Sequence, residues 1–418
     1  MGRRDQAPWA GAGGLTTVLV GNIRFVPIPA PTSPALLVPR SGIRTLMDLA
    51  LADPEALHLE IGEPDQEVAL HVVEAAAAAG REGRTGYTSA TGLPALRAAI
   101  AERVTARAGR ATTSDHVVVT HGAMHGLSMA FQAVLGPGDE VLLPDPMFPN
   151  WAMAATAAGA IPRTYPTRPE RGYVPVPAEV EAAITPRTRA LLVCSPDNPT
   201  GAVYPAAVLE QLVDVARRND LWLLSDECYE AITFGAPFVS PAAFDTDGRV
   251  VVFGSVSKTY AMTGWRIGWV ATPSRELVEV LGHLAEAEVA CPSTVGQVGA
   301  LAALTGPQEA VAAAVDSYRE RRDAAMELLT ARGVGYSRPE GAFYLLVDVE
   351  EEDTDAFAHR LLERRHVAVA PGATFGVQAA GRVRISLASA RPVLLEGLSR
   401  LADEVVAARA AREDALAR

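Results

Sequence analysis

The sequence is almost without lysine. Of its 37 Lys and Arg residues one is lysine, Lys258, and the other 36 are arginine. Arginine replaces lysine for solubility and ion pairing, but it is not deprotonated in proteins and does no amine chemistry. A composition that keeps a single lysine singles out its position for nucleophilic or proton-carrying amine work; a chance survivor of an arginine bias is the other reading of that residue alone. Cysteine is also scarce. Cys194, Cys228 and Cys291 have neither metal-ligand spacing nor the look of a disulfide framework, so no metal is expected and a reducing, cytoplasmic setting is. No basic run is interleaved with aromatics, and the formal net charge is -12, which argues against nucleic acid or anionic membrane as a main partner. No apolar run is long enough to span a bilayer. Arg3-Arg4 ahead of Leu15 to Val20 makes a poor secretory signal, because the run is short and broken by Thr16 and Thr17. Pro27, Pro29 and Pro31 mark residues 1–33 as an extended or flexible arm.

What is present is a long alternation of elements. At 418 residues and 49% apolar, the chain can bury two cores. Short β-branched runs at Val117–Thr120, Glu140–Leu143, Ile161–Tyr165, Ala190–Cys194, Trp222–Ser225 and Val250–Gly254 read as strands. Helical stretches over 68–81, 95–108, 127–135 and 205–218 lie among them. The alternation predicts an α/β unit with a mostly parallel sheet covered on both faces. Beyond Pro273 the pattern turns helical, with a long helix over 307–331. Strands at Phe343–Val347, Val367–Ala370 and Val383–Ser386 and a closing helix from Pro392 form a second, α+β unit. The expected division is an arm over 1–33, a small domain from 34–61 and 305–418, and a large domain over 62–304.

Strand ends are where α/β sheets place their sites. Here they carry Gly122-Ala123, Phe148, Asn198, Asp226, Tyr229 and the segment Ser255-Val256-Ser257-Lys258 with Arg266. Taken singly, an Asp after a strand is a turn former, Phe148 a core residue, and Arg266 a surface cation. Together they match the needs of one cofactor, pyridoxal phosphate. Its aldehyde needs the amine of Lys258, and its pyridine nitrogen stays protonated beside a buried carboxylate such as Asp226. Its ring hydroxyl suits Asn198 and Tyr229 and its ring face suits Phe148. Its phosphate suits the Gly122 and Ala123 N–H groups at a helix start, the Ser255 and Ser257 hydroxyls, and Arg266.

The run Ser255-x-Ser257-Lys258-x-x-x-Met262-Thr263-Gly264-Trp265-Arg266 resembles the class I/II aminotransferases of the aspartate aminotransferase superfamily, over about residues 34 to 410. The resemblance implies fold type I: a large domain with a mostly parallel sheet of the seven-stranded type, and a smaller α+β domain. It implies that Lys258 binds the cofactor and then moves the proton between the amino acid's Cα and the cofactor, with Asp226 and Tyr229 as further catalytic residues. Met124 joins the phosphate turn, and Tyr87 reaches the phosphate of the neighbouring subunit, which implies a homodimer with shared sites. Arg384 receives the substrate's α-carboxylate, assisted by Asn198 and the Gly62 backbone; Gly341-Ala342-Phe343-Tyr344 and the Phe375 segment lie near the substrate.

Substrates are then an amino acid and a 2-oxo acid. Related enzymes specific for aspartate place a lysine where this chain has Met124, so a neutral aliphatic or aromatic donor is expected. A dicarboxylic acceptor would need an arginine, for which Arg40 and Arg44 are the candidates. Two other readings stay open: a lyase, cyclase or oxidase on the same scaffold, and a non-enzymatic regulator, for which the arm is too short and proline-rich to hold a helix-turn-helix module.

Overall fold

The computed structural model describes residues 19–20, 23–24 and 35–416. The arm expected over 1–33 lies outside the described residues, except for the antiparallel pair Leu19–Val20 and Ile23–Arg24.

Seven strands form the main sheet: β1 (Val117–Thr120), β2 (Glu140–Asp145), β3 (Ile161–Pro166), β4 (Thr188–Cys194), β5 (Trp222–Asp226), β6 (Val250–Ser255) and β7 (Gly268–Ala271). Their order is β1-β7-β6-β5-β4-β2-β3. All neighbours are parallel except β7, which runs antiparallel to both β1 and β6. The runs Val117-Val118-Val119 and Val250-Val251-Val252-Phe253 are buried along their whole length, because helices cover both faces. One face packs Val119, Leu142, Leu191 and Leu223, and the other Val118, Leu143, Leu192 and Leu224, so the period of two sorts each strand between two cores.

A second, antiparallel sheet holds Tyr336–Ser337, Tyr344–Asp348, Arg382–Ser386 and Ala370–Pro371, in that spatial order. Its core joins Leu46 and Leu59 from early in the chain to Phe343, Leu345, Phe357, Leu394, Leu398 and Leu401. Burying each of these leucines stabilises the fold by roughly 1.5–3 kcal/mol before entropy is counted. The closing helix Arg391–Leu416 packs Leu394, Leu398, Leu401 and Val405 into that core at three- and four-residue spacing. Among the described residues no single helix is long and apolar enough to cross a membrane.

Four local expectations change. Strand β7 is absent from the sequence reading, since Gly268-Trp269-Val270-Ala271 is short and half of it is Gly and Ala, poor strand formers. The helix expected over 127–135 starts four residues earlier, as Ala123–Val134. The single strand expected over Val367–Ala370 divides between two sheets. Val367–Ala368 pairs in parallel with Leu57–His58, and Ala370–Pro371 pairs antiparallel with Arg382–Ser386. The sequence also reads as a strand over Leu57–Ile61, and the strand there is shorter, Leu57–His58, paired with Val367–Ala368.

Candidate active site

Strand β5 delivers Asp226 at the carboxyl edge of the sheet, in register with Cys194 of β4 and Phe253 of β6. The chain leaves β6 at Ser255, whose hydroxyl accepts from the Ser257 N–H at 2.9 Å and so caps the short helix Val256–Thr259. That turn presents Lys258. Its Nζ donates to the Gly62 carbonyl at 2.7 Å and lies 5.8 Å from the centre of the Phe343 ring. A carbonyl is a weak tether for an amine, so Nζ can leave it without stranding a buried charge pair.

Asp226 is buried and accepts from the Trp151 indole N–H at 3.2 Å and the Cys228 backbone N–H at 3.1 Å. Burial pushes its carboxyl pKa up, while the bonds from Cys228 and Trp151 and the charge of Lys258 pull it back. A cation beside it would complete the compensation, which is what a protonated pyridine nitrogen is. Phe148 packs edge-on to Trp151 at 6.0 Å between centroids, so the aromatic wall and the carboxylate share one support. The Tyr229 hydroxyl meets that of Tyr344 at 2.9 Å, and burial, then Tyr344, pushes the Tyr229 pKa well up. It therefore stays a neutral hydrogen-bonding group.

An anion cradle lies at the other end. Gly122 (φ 77°) precedes the helix Ala123–Val134, whose first N–H groups have no intrahelical partners. The Arg266 guanidinium lies over it: a Cβ on Gly122 would come within 2.6 Å of Arg266 Nη2. Arg266 is held by donation from Nη1 to the Thr263 carbonyl at 2.6 Å. Gly268 pairs with Ser255 across β7 and β6, and a Cβ there would lie 2.5 Å from the Ala123 nitrogen. Helix start, Ser255 and the arginine are thus pressed together by backbone contact, a donor set that suits a phosphate. Met124 follows on the first turn, partly buried against the sheet.

Arg384 is 2% exposed, though it is an arginine. It donates from Nη1 to Asn198 Oδ1 at 2.9 Å and from Nη2 to the Glu60 carbonyl, and its Nε has no partner. Tyr344 and Phe375 flank the guanidinium, with ring centres 4.2 and 4.9 Å from Cζ. A buried cation without a carboxylate facing it is costly, and burial lowers its pKa. An incoming carboxylate supplies the missing charge.

The chain therefore brings together Lys258, Gly62, Asp226, Phe148, Tyr229, Asn198, Arg384 and Phe375, and next to them Gly122, Ala123, Met124, Ser255, Ser257 and Arg266. Tyr87 stands apart, 91% exposed. Arg40 and Arg44 lie at the start of the helix Gly42–Ala50; the Arg40 side chain is 80% exposed and pairs with Asp48 at 3.4 Å. Sequence reasoning missed Trp151, whose signal was its place three residues after Phe148. It also missed Asp197, buried beside Asn198, whose pKa burial raises to about 7 against bonds from Thr200. The donors and acceptors present fit pyridoxal phosphate at each of its polar groups.

Comparison with known proteins bears on the chain as a whole. The family model for aminotransferase class I and II matches residues 54–400. The aspartate/prephenate aminotransferase of Thermus thermophilus is 40% identical over 362 residues, covering 85% of this chain and 92% of that protein. An arginine–pyruvate transaminase of Pseudomonas aeruginosa is 38% identical, covering 83% of this chain and 89% of the relative. Among solved structures, the Thermus thermophilus aspartate aminotransferase with maleate superposes with a TM-score of 0.86 at 38% identity, over 90% of this chain and 100% of that one. The aromatic aminotransferase of Pyrococcus horikoshii gives 0.81 at 35% identity, over 86% and 98%. With a family match over residues 54–400 and relatives of up to 40% identity along most of its length, the chain belongs to the class I and II aminotransferases, pyridoxal phosphate-dependent transferases of fold type I.

Proposed function

We propose that this chain moves the amino group of a neutral, aliphatic or aromatic L-amino acid to a 2-oxo acid, in two half-reactions with ping-pong kinetics. The observation that carries this reading is that the chain's one lysine lies in the same site as two groups of opposite charge, the carboxylate of Asp226 and the guanidinium of Arg384. When bound, pyridoxal phosphate supplies an aldehyde for amines and a conjugated ring that accepts the electrons of the broken Cα–H bond. Arg384 and Asn198 hold the α-carboxylate and so fix which Cα bond is turned toward the amine of Lys258. Lys258, whose amine donates to the Gly62 carbonyl, would take the proton from Cα as the base. Asp226 would keep the ring nitrogen protonated, Tyr229 and Asn198 would bond the ring hydroxyl, and Phe148 would pack on the ring. Gly122, Ala123, Met124, Ser255, Ser257 and Arg266 would hold the phosphate.

Met124 supports a neutral donor, because it puts a thioether where an acidic side chain would need a cation. An acidic substrate is the second reading, favoured by the Thermus thermophilus relative, an aspartate/prephenate aminotransferase; Arg40 and Arg44 are then the candidate partners. A panel of amino donors, followed by loss of the bound cofactor's absorbance, tests both. A response to Asp and Glu alone overturns the neutral-donor reading, and release of ammonia in place of amino transfer overturns transamination.

The exposed Tyr87 supports a homodimer in which it completes the partner's phosphate site, testable by sedimentation. We also divide the chain into the arm 1–33, a small domain of 34–61 and 305–418, and a large domain of 62–304. The core shared by Leu46, Leu59 and the closing helix supports that division.

A further inference from the structure

Phe375 is buried in a small cluster with Ile43, Ala370 and Ala379, but the tip of the segment between Phe375 and Ala379 lies outside that cluster. After Gly376 comes Val377, 76% exposed, so the loop tip is not anchored by its side chain. The anchor comes from the other sheet. Asp145, the last residue of β2, is buried and accepts from the backbone N–H groups of Val377 at 3.3 Å and Gln378 at 3.0 Å. Gly376 has φ 131°, and a Cβ there would come within 2.2 Å of Asp145 Oδ1, so only glycine admits the carboxylate. Two residues beyond Asp145, the Met147 N–H donates to the Phe375 carbonyl at 2.8 Å. Asp145 is itself fixed to the sheet, since its carbonyl accepts from Thr167 N at 2.8 Å and Thr167 Oγ1 at 3.0 Å.

We infer that Asp145 is a positioning residue for substrate: it pins the Phe375 segment to the strand end that carries Phe148, and so sets the gap in which the amino acid's carboxylate meets Arg384. Phe148 and Phe375 sit on segments from different sheets. Asp145 and Met147 are the described polar ties between those segments. Phe375 in turn touches the Arg384 guanidinium, so a shift of the segment moves one wall of the carboxylate subsite and leaves the phosphate cradle alone. Charge on Asp145 strengthens both N–H bonds over those a neutral amide would accept.

This inference rests on the aminotransferase reading, and its test keeps the two apart. Three variants of the holoenzyme are titrated with the 2-methyl form of the best donor amino acid, which occupies the site without a Cα proton to lose. Asp145→Asn weakens the acceptor, Gly376→Ala obstructs it, and Val377→Pro removes one donor from an exposed position where folding is little at risk. Each single variant should weaken binding of the analogue about tenfold, the range of one charge-assisted hydrogen bond. Asp145→Asn combined with Gly376→Ala should lose no more than the worse of the two, since both break the same contact. Binding of the corresponding amine without a carboxylate, and the cofactor's dissociation constant, should stay within about twofold of the parent. Unchanged analogue binding in Val377→Pro and Gly376→Ala overturns the inference, as does an equal loss for the amine. A parent enzyme that transfers no amino group from any donor would instead overturn the reading beneath it.

Discussion

Replacing Arg384 by lysine separates charge from geometry in the carboxylate subsite. Lysine keeps the positive charge but not the planar fork that spans Asn198 Oδ1 and the Glu60 carbonyl. It also loses the flat contact with the Tyr344 and Phe375 rings, 4.2 and 4.9 Å from the guanidinium carbon. One of two charge-assisted bonds to the substrate carboxylate disappears, about 1.5–3 kcal/mol, which lowers kcat/KM by roughly ten- to a hundredfold. The assay is the first half-reaction, followed by the bound cofactor's absorbance, with an L-amino acid and with the amine that lacks its carboxylate. The amino acid should lose the stated factor and the amine almost nothing. Equal losses for both would show that Arg384 acts by supporting the fold, and the carboxylate role would be refuted.

Lys258→Arg keeps charge and bulk but removes the titratable amine, so turnover should vanish, and borohydride should no longer fix cofactor to residue 258. Gly122→Ala places a methyl 2.6 Å from Arg266 Nη2 at a backbone angle of φ 77°; cofactor affinity, measured by equilibrium dialysis, should fall about tenfold or more. Burial raises the pKa of Asp197 to about 7 and that of Glu227 to about 8, from 3.8 and 4.5. Both acids therefore keep their protons to higher pH in the fold than in the unfolded chain. Their contribution to stability is complete below about pH 4 and is lost as pH rises through 7 to 8. Urea midpoints of the apoenzyme should fall between pH 6 and pH 8.5, and Asp197→Asn with Glu227→Gln should flatten that slope; an unchanged slope counts against the assignment.

The elements that were legible in sequence are those whose signal is local. Val117–Val119 and Val250–Phe253 are continuous apolar runs, and they lie in strands because strands covered by helices on both faces have no polar face to interrupt them. Strand β7 was not legible, because Gly268 is there for its close approach to Ala123 and not for any strand preference. The split of Val367–Ala370 was invisible for a similar reason: both halves are buried and apolar, and only the partner strands differ. The same limit applies at the site. Lys258 announced itself by composition, whereas Trp151 and Asp145 look like ordinary residues until their partners are known.

The sequence by itself determined the cofactor and the family: one lysine, a run of motif around it, and acids, hydroxyls and arginines at successive strand ends match the needs of pyridoxal phosphate, while the motif left a lyase, cyclase or oxidase open beside transamination. Only the tertiary structure decided the distances. It set Trp151 on Asp226, the Tyr344 and Phe375 rings about Arg384, and the Asp145 carboxylate beneath Gly376. Residue identity is fixed one position at a time, but a contact between residues 232 positions apart, such as Asp145 with Val377, depends on how whole sheets pack.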